Sequence, residues 1–287
     1  MSAPSNGHVA KGAPKRRVGI VGYGKLGEFL CDKLEGNEEV EIAWVWNRTA
    51  SKIPADKYKI LDDLKGFASE PLDLVVEVAH PDISKEYGLK FLDFCDYYMG
   101  SPTAMADATL CEKLQGAAKN DAIKGSLYIP VGALWGAVDI QRMADLGTLK
   151  GLRVTMRKHP DSLRLVPPLS EKLAAGPPGE SPENVLFLGP VRDLCPLAPN
   201  NVNTMACAAI AAWNLGFDKT ESRLVADTRL TETHEIEVEV EGPNGFKVST
   251  VRSNPAQVGA VTGAQTYMSF FHSLTKAHGK GVGVFFC

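Results

Sequence analysis

Two groups of residues in this chain have types and spacings suited to chemistry. The first is Gly22-Tyr23-Gly24-Lys25-Leu26-Gly27, directly after Arg17-Val18-Gly19-Ile20-Val21. A β-branched strand that runs into a GxGxxG turn and then a helical pattern is the arrangement that cradles a dinucleotide pyrophosphate. Gly22 permits the tight turn, Gly24 lets backbone approach the phosphates, and Gly27 lets the helix pack on the strand. The helix N-terminus adds unpaired N–H groups and a positive dipole end. The second group is Thr233-His234-Glu235-Ile236-Glu237-Val238-Glu239-Val240-Glu241. Its strict alternation puts four glutamates on a wet strand face and His234 with Ile236, Val238 and Val240 on the covered one. An imidazole there is either a general acid/base, since it titrates near neutrality, or an interior histidine bonded to a carbonyl.

The residue at the end of the second strand decides which dinucleotide fits. An acid roughly 20 residues beyond the glycines would accept the adenosine ribose 2′-OH and repel a 2′-phosphate. That place holds Trp46-Asn47-Arg48-Thr49. Asn47, Arg48 and Thr49 offer donors and a positive charge, so the expected cofactor is NADP, with NAD also open. Tyr23, Lys25 and Leu26 complete the expected phosphate cradle.

Other candidates are single residues at strand ends or domain changes. Asp227 follows the strand Leu224–Ala226, where it would orient a base or hold an ammonium. Ala79 and His80 end the strand Leu72–Val78, and Ser101 ends the next, where an α/β sheet places its ligands. Pro199-Asn200-Asn201-Val202-Asn203 precedes a helix; its amides either cap that helix or bind a carboxamide or substrate. Ala133 lies in Gly132–Gly136, at a change of character in the chain. Lys158, His159 and Arg164 are candidate partners for substrate carboxylates, although most such surface charges are merely solvated.

The elements that must position these groups read as follows. From Lys15 to Tyr128 strands alternate with helices, which implies a parallel sheet with helices on both faces. After Gly132 strands follow one another, at 152–156, 185–188, 224–226, 235–240 and 246–251. The fold class is therefore α/β: an N-terminal Rossmann-type domain over 16–132, then an α+β domain with a mixed or antiparallel sheet over 133–287. Residues 167–182 read as a surface loop, 202–213 as a helix, and 262–277 as a terminal helix that packs back on the first domain. Residues 1–15 read as a disordered tail; Pro4, Gly7, Gly12 and Pro14 break the helix that a transit peptide needs.

Composition narrows the class further. A net charge of −3 gives no reason to expect a nucleic-acid partner. No apolar run approaches the ~20 residues of a membrane span. Six cysteines without CxxC or His-paired spacing argue against a zinc site or a disulfide scaffold and fit a reducing, cytoplasmic compartment.

Taken together, these segments resemble the L-aspartate dehydrogenase family, its vertebrate branch most closely. The resemblance covers Arg16 to the C-terminus. It is carried by Val18–Gly27, Val76-Glu77-Val78-Ala79-His80-Pro81, Gly132–Ile140, Pro199–Asn203, Val225-Ala226-Asp227 and Thr233-His234-Glu235-Ile236. It implies oxidation of L-aspartate to iminosuccinate, which hydrolyses to oxaloacetate and ammonia, by a homodimer that uses a nicotinamide cofactor. It places the catalytic histidine on His234, with nicotinamide contacts on Ala133 and Asn203. The chain departs from the prokaryotic pattern in three places: a shorter loop between Asp227 and His234, Glu232 where an asparagine is usual, and His80 where a small residue is usual. A related reductase for another amino or keto acid, and a cofactor-binding redox sensor without catalysis, are the alternatives.

Overall fold

Short apolar strands alternate with helices through the first half of the chain. The computed structural model describes residues 14–287, so most of the expected N-terminal tail lies outside the described residues. The order is β1 (Arg16–Val21), α1 (Lys25–Leu34), β2 (Val40–Trp46), β3 (Leu74–Glu77), α2 (Pro81–Phe94), β4 (Asp96–Met99), α3 (Ala108–Ala118) and β5 (Leu127–Ile129). The second half holds α4 (Ala137–Asp145), β6 (Gly151–Lys158), α5 (Leu169–Ala175), β7 (Glu183–Pro190), α6 (Val191–Leu194), α7 (Asn203–Ala211) and α8 (Gly216–Lys219). It ends with β8 (Glu221–Asp227), β9 (Thr233–Glu241), β10 (Lys247–Pro255), α9 (Ala264–Lys276) and β11 (Val284–Phe286).

The first sheet has the order β11-β5-β4-β3-β1-β2, and every pairing in it is parallel. Helices cover both faces, so its strands carry short continuous apolar runs such as Leu74-Val75-Val76 rather than a strict alternation. The order reverses between β1 and β3, and ligands of such sheets bind at that switch point. The second sheet, β10-β9-β6-β8-β7, is mixed: β6 and β8 run parallel and the other pairs antiparallel.

Two expectations change here. The range 133–287 is not one unit, because β11 hydrogen-bonds to β5 and becomes the edge of the first sheet. The expected terminal helix, α9, lies against that sheet: Tyr267 packs edge-on against Phe29 of α1, and the Tyr98 hydroxyl donates to the Phe270 carbonyl at 3.0 Å. An isolated Val-Phe-Phe at a chain end carries no period, so nothing local assigns it to a sheet. The second change is inside 167–182, where Leu169–Ala175 forms α5; Leu169 and Leu173 anchor it to the apolar core.

Strand β9 shows how the sequence pattern becomes packing. Ile236, Val238 and Val240 are buried, while Glu235, Glu237 and Glu239 lie on the outer face. Arg157 pairs with Glu237 at 3.0 Å and Arg153 reaches Glu221 and Glu239 across that face. Such pairs contribute at most about 1 kcal/mol each, so the covered apolar face sets the register. Helix α7 is apolar all round and buried along its length from Thr204, as a core helix is. It packs on α4 and on the turn Pro102–Ala106 at the end of β4. The Thr103 hydroxyl donates to the Pro199 carbonyl at 2.9 Å, tying the two halves at the same place. Among the described residues no helix is long and apolar enough to cross a membrane.

Candidate active site

The glycine turn is built as its spacing requires. Gly22 has a φ of +109°, a conformation costly for any residue with a Cβ. A Cβ on Gly27 would lie 1.9 Å from the Gly22 carbonyl oxygen, so α1 sits directly on the turn. A Cβ on Gly24, by contrast, meets nothing within 4 Å. That open face at the start of α1, with Gly24 at its N-cap and no side chain capping the helix, is room for an anion on free N–H groups. The residues present therefore fit a dinucleotide. Gly27→Ala is expected to force α1 away from the turn, at a cost of about 1–3 kcal/mol, with a lower Tm and weaker cofactor binding; an unchanged Tm would contradict this packing.

At the end of β2 the three expected residues divide in role. The Asn47 side chain accepts from the Tyr23 N–H at 3.1 Å and donates to the Thr49 carbonyl at 2.9 Å. It braces the loop against the glycine turn rather than offering its amide to a phosphate. Arg48 is exposed and has no ion-pair or hydrogen-bond partner among the described residues.

Between the two sheets lies a cleft of about 1010 Å³, including its open mouth. Leu26, Ala79 and Ser101 line the side of the first sheet, and Ala133 lies at the crossing between halves. His234, Lys158 and Asn203 line the far side. His234 is 2% exposed, and its Nε2 has no hydrogen-bond partner among the described residues. Burial and the nearby Lys158 charge push its pKa down to about 4, against a backbone hydrogen bond with Ala260 that works the other way. Lys158 is 4% exposed, and its ammonium donates to the Val261 carbonyl at 2.8 Å. Burial pushes its pKa down to about 8. Among the described residues no aspartate or glutamate lines the cleft. The Oδ1 of Asn203, in the first turn of α7, is buried without a partner.

Register explains this meeting. Asn254 of β10 stands opposite His234, and Arg157 of β6 pairs with Glu235, which sets Lys158 beside His234 on the covered face. The other expected residues are not brought to that point. Asp227 accepts from the Arg229 backbone and guanidinium at 2.7–2.9 Å, which holds its carboxyl below its usual range. It does not touch His234, because β8 is separated from β9 by β6. His159 accepts from the Asp161 N–H, and the Arg164 guanidinium donates to the Asp161 and Leu163 carbonyls; neither lines the cleft. Asn201 lines it, but its amide is spent on Arg164 N–H and the Ser162 carbonyl. The His80 ring caps α2 by accepting from Asp82 N–H and faces away from the cleft lining.

Some lining residues were missed. Asn254 donates to the Thr266 hydroxyl at 2.8 Å and accepts from Gln265 N–H, fixing the start of α9 at the cleft. Counting register through the β9–β10 hairpin would have placed it opposite His234. Thr262, Thr266 and Phe270 enter the lining because α9 lies against the first sheet.

Residues 139–277 match the family model of the aspartate dehydrogenase C-terminal domain, and residues 22–126 match the NAD-binding domain of homoserine dehydrogenase. The chain is 49% identical over 276 residues to an aspartate dehydrogenase domain-containing protein of Danio rerio, across 94% of this chain and 98% of that one. It is 30% identical over 238 residues to the L-aspartate dehydrogenase of Methanosarcina acetivorans, across 78% of this chain and 84% of that one. Its fold matches the crystal structure of aspartate dehydrogenase from Thermotoga maritima with a TM-score of 0.70 at 24% identity, over 93% of this chain and 98% of that one. With a glycine cradle, a parallel sheet and a basic cleft all in place, the chain belongs to the aspartate dehydrogenase family of nicotinamide-dependent dehydrogenases.

Proposed function

We propose that this protein catalyses NAD(P)⁺-dependent oxidative deamination of L-aspartate to iminosuccinate, which water converts to oxaloacetate and ammonia. The observation that carries the reading is the pairing of His234 Nε2 with a buried Lys158, neither of which has a hydrogen-bonded or ion-paired carboxylate among the described residues. A cleft so built lacks an anion and a proton donor to the histidine. An amino acid with carboxylates supplies both.

Gly22, Gly24 and Gly27 at the start of α1 would hold the dinucleotide, whose nicotinamide would supply a hydride acceptor for the substrate Cα. The chain's own residues do the rest. Neutral His234 takes a proton from the substrate amine, or from the water that adds to the imine. Lys158 pairs with a carboxylate. Asn203 Oδ1 accepts from an amide N–H, such as that of a carboxamide, and Ala133 and Ala79 shape the wall beside it. Substrate and dinucleotide seated between the two sheets would leave little room for water at the reacting carbon. Turnover of aspartate by the purified protein with either dinucleotide tests this; cofactor binding without turnover of any amino or keto acid would favour a redox sensor instead.

Arg48 supports NADP as the preferred cofactor, since it is an exposed cation at the end of β2 with no partner among the described residues. Arg48→Glu should raise the KM for NADP⁺ by roughly tenfold or more, through the loss of one charge-assisted contact, and leave the KM for NAD⁺ unchanged. An unaltered ratio of the two kcat/KM values would remove Arg48 from this role. The family resemblance further supports a homodimer, and six unpaired cysteines fit the cytoplasm. Light scattering on the purified chain checks the first.

A further inference from the structure

We propose that Glu77 is a positioning residue for the cofactor, a single buried carboxylate that gathers both loops forming the wall beside the nicotinamide end of the cleft. Glu77 is the last residue of β3 and is 0% exposed. Its Oε1 accepts from the N–H groups of Ala79 and His80, at 2.7 and 2.9 Å, and from the Ser101 hydroxyl at 3.0 Å. Its Oε2 accepts from the Ser101 N–H at 3.0 Å. Ala79 and His80 form the loop into α2, and Ser101 the loop after β4. Ala79 and Ser101 line the cleft.

No cation is bonded to this carboxylate among the described residues. A buried charge held only by neutral donors costs stability rather than supplying it. What it supplies is geometry: four donors from two separate loops converge on one group that only accepts. Burial pushes the Glu77 pKa up to about 7, against the pull of those donors. A proton on either oxygen would face donors, and finds an acceptor only if the Ser101 hydroxyl reverses. The loops should therefore loosen on the acid side of neutrality.

The groups around it are few. Tyr97 is buried beside Glu77, and its phenol is raised well above its usual range, so it stays neutral. The His80 ring turns out toward Asp82. Lys158, across the cleft, gains protons as pH falls, which favours an anionic ligand and so acts with the opposite sign.

The inference rests on the dinucleotide site alone, so a failure of aspartate turnover does not touch it. The test is calorimetric titration of the full chain with NAD⁺, which has no group titrating between pH 6 and 8. Wild type should bind NAD⁺ more weakly at pH 6 than at pH 8, and Glu77→Gln should abolish that acid-side weakening. At pH 8 the variant should bind NAD⁺ roughly tenfold more weakly, the loss of one charge-assisted hydrogen bond. AMP, which occupies only the adenine end, should bind as in wild type, with no fall in Tm. A pH-independent wild type, an undiminished NAD⁺ affinity in the variant, or a joint loss of AMP binding and Tm would each overturn the assignment. The wild-type titration needs no variant to fold. Absence of any NAD⁺ binding by wild type would overturn the cofactor site and this inference together.

Discussion

Replacing His234 by alanine should lower kcat for aspartate oxidation by about 10²–10⁴-fold, the usual contribution of a positioned acid/base, and leave NAD(P)⁺ affinity unchanged. The expectation follows from three features of one side chain. His234 lines the cleft from the covered face of β9, its Nε2 lacks a partner, and a backbone bond with Ala260 holds the ring. A pKa near 4 keeps it neutral at physiological pH, the form that accepts a proton. The sign fixes the acid limb of the pH profile: kcat/KM reports the free enzyme, so loss of the base appears only as pH falls toward about 4. Deleting a buried neutral imidazole also leaves a cavity, so Tm is measured alongside; a rate equal to wild type in a folded variant would sink the assignment.

The parts that were legible in sequence are those governed by short-range patterns. The alternation of Thr233–Glu241 placed His234 on the covered face, and β9 shows it there. The glycine spacing gave the strand-turn-helix of β1 and α1. What failed depended on partners distant in sequence. Asp227 stood at a strand end, where an acid would orient a base, yet β6 lies between β8 and β9 and Arg229 takes the carboxylate. Lys158, His159 and Arg164 are indistinguishable as basic residues in sequence. Only the end of β6, beside His234, gives Lys158 its buried position, while its neighbours leave the strand. Glu77 gave no local signal of its role, which needs the loop after β4 to approach from another part of the chain.

Lys158→Met is the second large effect, and it reads out on two different parameters. The buried ammonium is a charge without a carboxylate partner, so a substrate carboxylate completes the pair. Truncating one member of a buried charge pair costs about 2–5 kcal/mol, so the KM for aspartate should rise by roughly 30-fold or more, with little change in the KM for the dinucleotide. In wild type the ammonium loses its proton near pH 8, so kcat/KM for aspartate should also fall above that pH. The variant should lack this alkaline limb. The second readout is His234 itself. Lys158 is the charge that helps hold the imidazole low, so methionine at this position should raise the His234 pKa, as seen by NMR titration of the histidine ring protons. A substrate carboxylate does the same by neutralising the charge: a non-reacting dicarboxylate such as succinate should raise the His234 pKa in wild type and leave it unmoved in Lys158→Met. The base then gains strength only when the correct ligand is seated, which ties selection of an acidic substrate to activation of the group that deprotonates it. An unchanged KM in the variant, or a histidine pKa indifferent to both the mutation and succinate, would separate Lys158 from the reaction.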